Sequence, residues 1–257
     1  MSKMKFVALV TCGVLMALPS AGIAGQAATP AAKPAAKPAA GAARFEVTSL
    51  KAVRPLVVKT IADLEKKDAA AGKADIAAFD SAWVGVEVYV NFRSMDMYND
   101  IEHNWETKVT DALNKPGPDL TAVLADAKSL LVSYDAMLAM VEKATPLNPL
   151  FDDVARLRIE RSHLREVTPA LKAGDVAKAR KAFAAFDDNW DNIEDLVKDR
   201  SREAYDSIEK GMVTIERQLM PARPDADQVA ASVTAVMTDY NKIVAQVTKE
   251  ARDASAK

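Results

Sequence analysis

The chain has 257 residues, about half of them apolar and 27% charged, which is a globular composition with enough apolar surface for a sizeable core. A formal net charge of −2 leaves no basic footprint for nucleic acid or an anionic lipid surface. A single cysteine and nine scattered glycines exclude a disulfide framework, a thiolate metal cluster and a glycine-rich phosphate loop.

The first segment, 1–27, reads as a secretory signal peptide. Lys3 and Lys5 supply the positive start, Phe6–Leu18 is apolar, and small residues follow around Ala24 and Ala27. Such a segment directs export, so the expected location is the periplasm, and its cleavage takes Cys12 away. Residues 28–44 form an Ala/Pro/Lys linker, because proline every few residues blocks helix propagation. One folded domain follows, 45–257.

The spacing in that domain predicts an all-α protein. Amphipathic helices are expected at 49–68 and 149–172, then two long helices opened by Asp75 and Asp175 as N-caps. Each long helix breaks or bends at Arg93-Ser94 or Arg200-Ser201, where the serine caps a further segment. Turns at 116–118 and 221–224 lead to helices 119–144 and 225–252, capped by Asp119 and Asp225.

The chain also repeats itself. Phe79–Glu102 and Phe186–Glu209 align without a gap at an offset of 107, and ten of the 24 positions are identical. The reading is a tandem duplication, copy one 45–145 and copy two 146–257. Each copy is a three-helix unit with a long, bent middle helix, and the two pack as a bundle about a pseudo-two-fold axis.

The repeated apolar residues are core. The repeated acids carry the chemistry: Asp80, Glu87 and Glu102, echoed by Asp187, Glu194 and Glu209. Across the pseudo-axis, such carboxylates suit a hard cation, and the hydroxyls of Tyr98 and Tyr205 favour ferric iron. The competing reading pairs Glu87 and Glu194 with Arg93 and Arg200 in structural ion pairs, leaving a metal-free sensor or adaptor for a protein or small ligand. Both histidines follow an acid by three residues, Asp100/His103 and Glu160/His163, a di-iron ligand spacing. The arginines around His163 and the absence of either histidine from the other copy favour surface side chains. No nucleophile–base signature or cofactor loop supports an enzyme.

The pattern Gly174-Asp175, Lys181-Ala182-Phe183, Phe186, Trp190, Ile193-Glu194, Arg200, Tyr205, Ile208-Glu209 resembles the helical extracytoplasmic region associated with FTR1-type bacterial high-affinity iron permeases. The resemblance implies a periplasmic accessory of iron or other divalent-metal uptake, presenting metal to an inner-membrane permease. The chain lacks the Arg-Glu-x-x-Glu motif of the permease itself.

Overall fold

The computed structural model describes residues 43–256, and the expected signal peptide and most of the linker lie outside them. The described chain is helical throughout and contains no strand. No described helix is long and apolar enough to cross a membrane.

Helix α1 (Phe45–Glu65) starts where the proline-rich sequence stops and buries Leu50, Val53, Val57, Ile61 and Leu64. It ends at Lys67, whose φ of 61° is left-handed, and Asp68 then caps α2 (Ala69–Val86) by accepting from the Ala71 amide at 2.9 Å. The expected cap, Asp75, instead lies buried inside α2 and takes Lys59 Nζ at 2.5 Å. The 107-residue offset locates the true cap, because Asp68 and not Asp75 corresponds to Asp175. In the second copy Gly174 (φ 77°) takes the left-handed position and Asp175 caps α8 (Val176–Trp190) through the Lys178 amide.

The middle element does more than bend. After α2 come α3 (Val88–Arg93) and α4 (Met95–Asn99), a π-helical segment (Asp100–Glu106) and α5 (Thr107–Asn114). Trp83 Nε1 donates to Glu102 Oε2 at 2.6 Å. Nineteen residues of straight helix would separate these positions by about 28 Å, at 1.5 Å per residue. The chain therefore doubles back between them. Ser94, with extended backbone (φ −153°), caps α4 through the Met97 amide, and Ser201 (φ −158°) caps α10 (Arg202–Leu219) through the Ala204 amide. The short α9 (Glu194–Lys198) lies before that second break. The expected three-helix unit thus contains four principal helices.

Asp119 and Asp225 cap the last long helices, α6 (Leu120–Lys143) and α11 (Ala226–Ser255), as expected. α6 packs on α1, and α11 on α7 (Leu150–Lys172). Tyr134 on α6 donates to the Leu50 carbonyl of α1 at 2.8 Å, and Tyr240 on α11 donates to the Leu157 carbonyl of α7 at the same distance. The two halves of the chain meet where α2 packs on α7. Gly85 makes this approach possible: a Cβ there would sit 2.7 Å from Ile159 Cγ1 and 3.2 Å from its Cα. A strict two-fold relation would match this joint with one between α8 and α1. A groove lies there instead.

Candidate functional site

The repeated acids fall into two sets. In the first, Trp83 stacks on Phe79 (centroids 6.1 Å apart) and meets Tyr134 edge-on (5.9 Å), while its indole holds Glu102. Glu87 lies near Glu102 and accepts from Arg158 Nη1 of α7 at 3.0 Å. Burial pushes the Glu87 carboxyl up to about 7, with Arg158 opposing and Glu102 adding to the rise. Tyr98 is raised by burial and then by Glu87 and Glu102, and its ring stands perpendicular to His103 at 6.0 Å.

In the second set, Trp190 donates its indole N–H to Glu209, and Tyr205 donates its hydroxyl to Glu194 Oε2 at 3.1 Å. That bond is the main cause raising the Tyr205 hydroxyl, helped by burial and Glu209. Tyr205 stacks on Trp190 at 6.2 Å, with Arg202 and Lys198 over its ring. Asp80 is raised by burial against the pull of Arg165. Asp187 is raised by burial and then by Glu216 and Asp188. Among the described residues, no three of His, Cys, Asp and Glu gather in metal-ligand geometry.

The expected arginine partners are elsewhere. Arg93, at the end of α3, reaches the first turn of α1 and binds Glu46, a pair almost fully buried at 8% and 4% exposure. Arg200 binds Glu250 at 3.0 Å. Both also donate to the carbonyl four residues back, Tyr89 and Leu196 respectively. Glu87 thus takes its cation from the other half of the chain, 71 residues away, where no helical spacing could reveal it.

The acid–histidine pairs do not form sites. Asp100 accepts from Asn104 Nδ2 (3.0 Å) and Ser133 Oγ (2.5 Å), because the wide turn of the π-helix brings residue i+4 rather than i+3 to its side. His163 Nε2 is 3.9 Å from Glu160 Oε2, beyond hydrogen-bond reach. Glu160 is partly buried, its Oε2 is buried and unpartnered among the described residues, and desolvation pushes its carboxyl up to about 7. His163 is half-buried rather than a surface side chain, and burial lowers its pKa.

Sequence reasoning missed the groove that His163 lines. It lies between α1 and α2 on one side and α7 and α8 on the other, with a volume of about 720 Å³. Ala78, Ala82, Val53, Ile159, Ala182 and Ala185 form apolar walls. One edge is polar: Ser81 Oγ donates to Glu166 Oε1 at 2.6 Å and Lys178 Nζ lies 3.1 Å from Oε2. Burial pushes the Glu166 carboxyl up, but Ser81 and Lys178 outweigh it and hold the group below its ordinary value. Alanines at positions 74, 77, 78 and 82 gave the one sequence signal, a helix face too small to fill a core.

Comparison with known protein families, curated proteins and solved structures finds no match for this chain.

Proposed function

We propose that the chain is a helical binding module that holds an amphipathic small ligand in the groove between α1–α2 and α7–α8. The groove itself carries this reading: its volume of about 720 Å³ lies within the roughly 300–1,000 Å³ of small-molecule sites, and it pairs apolar walls with a few convergent polar groups. The ligand's apolar body rests on the alanines. Its head group hydrogen-bonds at the Ser81–Glu166–Lys178 edge, where a neutral His163 imidazole offers one donor and one acceptor. The repeated acids keep structural roles, engaged by Trp83, Trp190, Arg158 and Tyr205. The test is titration with the apolar fluorophore anilinonaphthalene sulfonate, wild type beside Ala78→Trp and Ala182→Trp. Saturable emission weakened at least tenfold in the filled variants supports the groove, and unchanged binding removes it.

A second reading rests on a different observation, the grouping of one tyrosine with two glutamates in each half of the chain: Tyr98 with Glu87 and Glu102, Tyr205 with Glu194 and Glu209. Phenolate and carboxylate oxygens suit ferric iron. In this reading the protein is a periplasmic accessory of iron uptake that presents the ion to an inner-membrane permease. Arg158 against Glu87 weighs against a cation in the first set. Calorimetric titration with ferric iron, wild type beside Glu87→Gln/Glu194→Gln, decides it. Saturable binding lost in the double variant supports the iron reading, and silence in the wild type ends it.

A further inference from the structure

The hydroxyls that line the groove have already spent their protons. Ser49 donates to the Phe45 carbonyl at 2.8 Å, Ser162 to the Ile159 carbonyl at 2.6 Å, and Ser81 to Glu166. The lining charges all lie on one side. α1 and α2 contribute no charged residue to the lining, α7 contributes Glu166, and α8 contributes Lys178 and Lys181. Glu166 accepts from Ser81 at Oε1 and meets Lys178 at Oε2, so both of its oxygens are engaged. Lys181 stands one turn beyond Lys178, is exposed, and has no acid within ion-pair reach among the described residues. With His163 neutral, two lysines against one glutamate leave the lining with a net positive charge.

Charges beside the groove do not cancel it. Lys59 shares the α1 face of Ala52 and is held by Asp63 at 3.3 Å and Asp75 at 2.5 Å. Asp188 continues the α8 stripe of Lys181 and Ala185, but it lies two turns past Lys181 and outside the lining. The positive charge is therefore local to the Lys178–Lys181 rim. From that rim the small apolar floor follows α2 between Ala74 and Val86, about 18 Å of helix at 1.5 Å per residue. The lysine stems can lie along apolar surface while their ammonium groups stay at the rim. The donors left for a ligand are mostly ammonium hydrogens, three on Lys181 and the remainder on Lys178.

We propose, resting on the groove as a small-ligand site, that its ligand is a single-chain amphiphile with one negative charge, of which a medium-chain carboxylate is the simplest. The chain lies along the alanine floor and the carboxylate accepts from Lys181 and the spare donors of Lys178. A neutral head group would leave Lys181 without a counter-charge, and a cationic one would meet two ammonium groups. The ion pair sits at an exposed rim, so salt weakens it.

Calorimetric titration of the purified chain with decanoate, decan-1-ol and decylamine, each below its self-association concentration, is the test. Decanoate is expected to bind about tenfold more tightly than the alcohol, as a charge-assisted hydrogen bond allows, and the amine to bind most weakly. Salt should lower the affinity for decanoate and leave that for decanol unchanged. Lys181→Gln should bring decanoate down to the level of the alcohol, and Lys181→Glu should favour the amine over the acid. Unchanged decanol binding in both variants shows that the groove is still folded. Acid and alcohol bound alike, and both weakened by Ala182→Trp, would overturn the charge assignment while the groove reading stands. A preference for decanoate that survives both Lys181 variants would also overturn it. Failure of all three probes to bind, or binding that Ala182→Trp leaves unchanged, would remove the groove reading and the inference with it.

Discussion

Trp83 and Glu102 are joined by a 2.6 Å hydrogen bond across a reversal of the chain, and Trp190 and Glu209 are joined in the same way. Each bond ties the helix before the reversal to the one after it. The indole is buried inside an aromatic cluster, so its donor needs this acceptor. Glu102→Leu is expected to destabilise the fold by about 1–3 kcal/mol, the cost of an unsatisfied buried donor, while Glu102→Gln keeps an acceptor and costs less. Urea unfolding of both variants checks it. Equal losses for Leu and Gln would show that the charge on Glu102, not its oxygen, matters.

The joint between the two halves turns on Gly85. Alanine is a better helix former by about 1 kcal/mol, yet its Cβ would press on the side chain and the backbone of Ile159. Gly85→Ala is expected to destabilise by about 1–3 kcal/mol, as overpacking does. Adding Ile159→Ala should return only part of that loss, because the Ile159 Cα and N, at 3.2 and 3.3 Å, remain in the way. Asn192, the corresponding position, is exposed, and Asn192→Ala should change stability by less than about 0.5 kcal/mol. Thermal melts of the four proteins order them.

Lys67 sits where the second copy has Gly174, and both backbones are left-handed at the end of a helix. A side chain there costs about 1–2 kcal/mol that glycine avoids, less the larger entropy glycine loses on folding. Lys67→Gly is expected to stabilise by about 0.5–1 kcal/mol. It would raise the melting temperature by a few degrees. Gly174→Lys should shift it the other way.

These positions show what the sequence made legible. Ser94, Ser201, Asp119, Asp225 and Asp175 act within three residues of their own backbone, so local spacing exposes them. Trp83, Phe79 and Val90 follow the helical seam into the core for the same reason. The break at Ser94 is marked by its own cap, but that the chain doubles back there depends on packing, and the π-helix was hidden because Asp100–Glu106 reads as ordinary helix. Arg158–Glu87 and Arg93–Glu46 span 71 and 47 residues and depend on how elements pack, which spacing cannot supply. The groove was equally out of reach, since its walls come from four helices in both halves.

Glu160 gives the fold a pH dependence with a definite sign. It stands where the first copy has the core residue Val53, and its carboxyl is pushed up to about 7 by burial, from an ordinary value of 4.5. Glu87 is raised to about 7 as well. At these two carboxyls the folded protein binds more protons than the unfolded chain between about pH 4.5 and 7. Their contribution to stability therefore falls as pH rises through that window, while His163, lowered by burial, opposes them near its ordinary value of 6.5. Below 4.5 both states are protonated and the penalty is absent. Asp63, held down to about 2 chiefly by Lys66, acts oppositely, but only as pH falls toward 2. Glu160→Gln removes a charge that burial opposes, so it should be more stable than wild type above pH 7 by about 1–2 kcal/mol, after discounting the shift for solvent screening. The difference should vanish near pH 4.5. Urea unfolding at pH 4.5, 6 and 8 measures it, and a Glu160→Gln advantage that grew toward low pH would reverse the assignment.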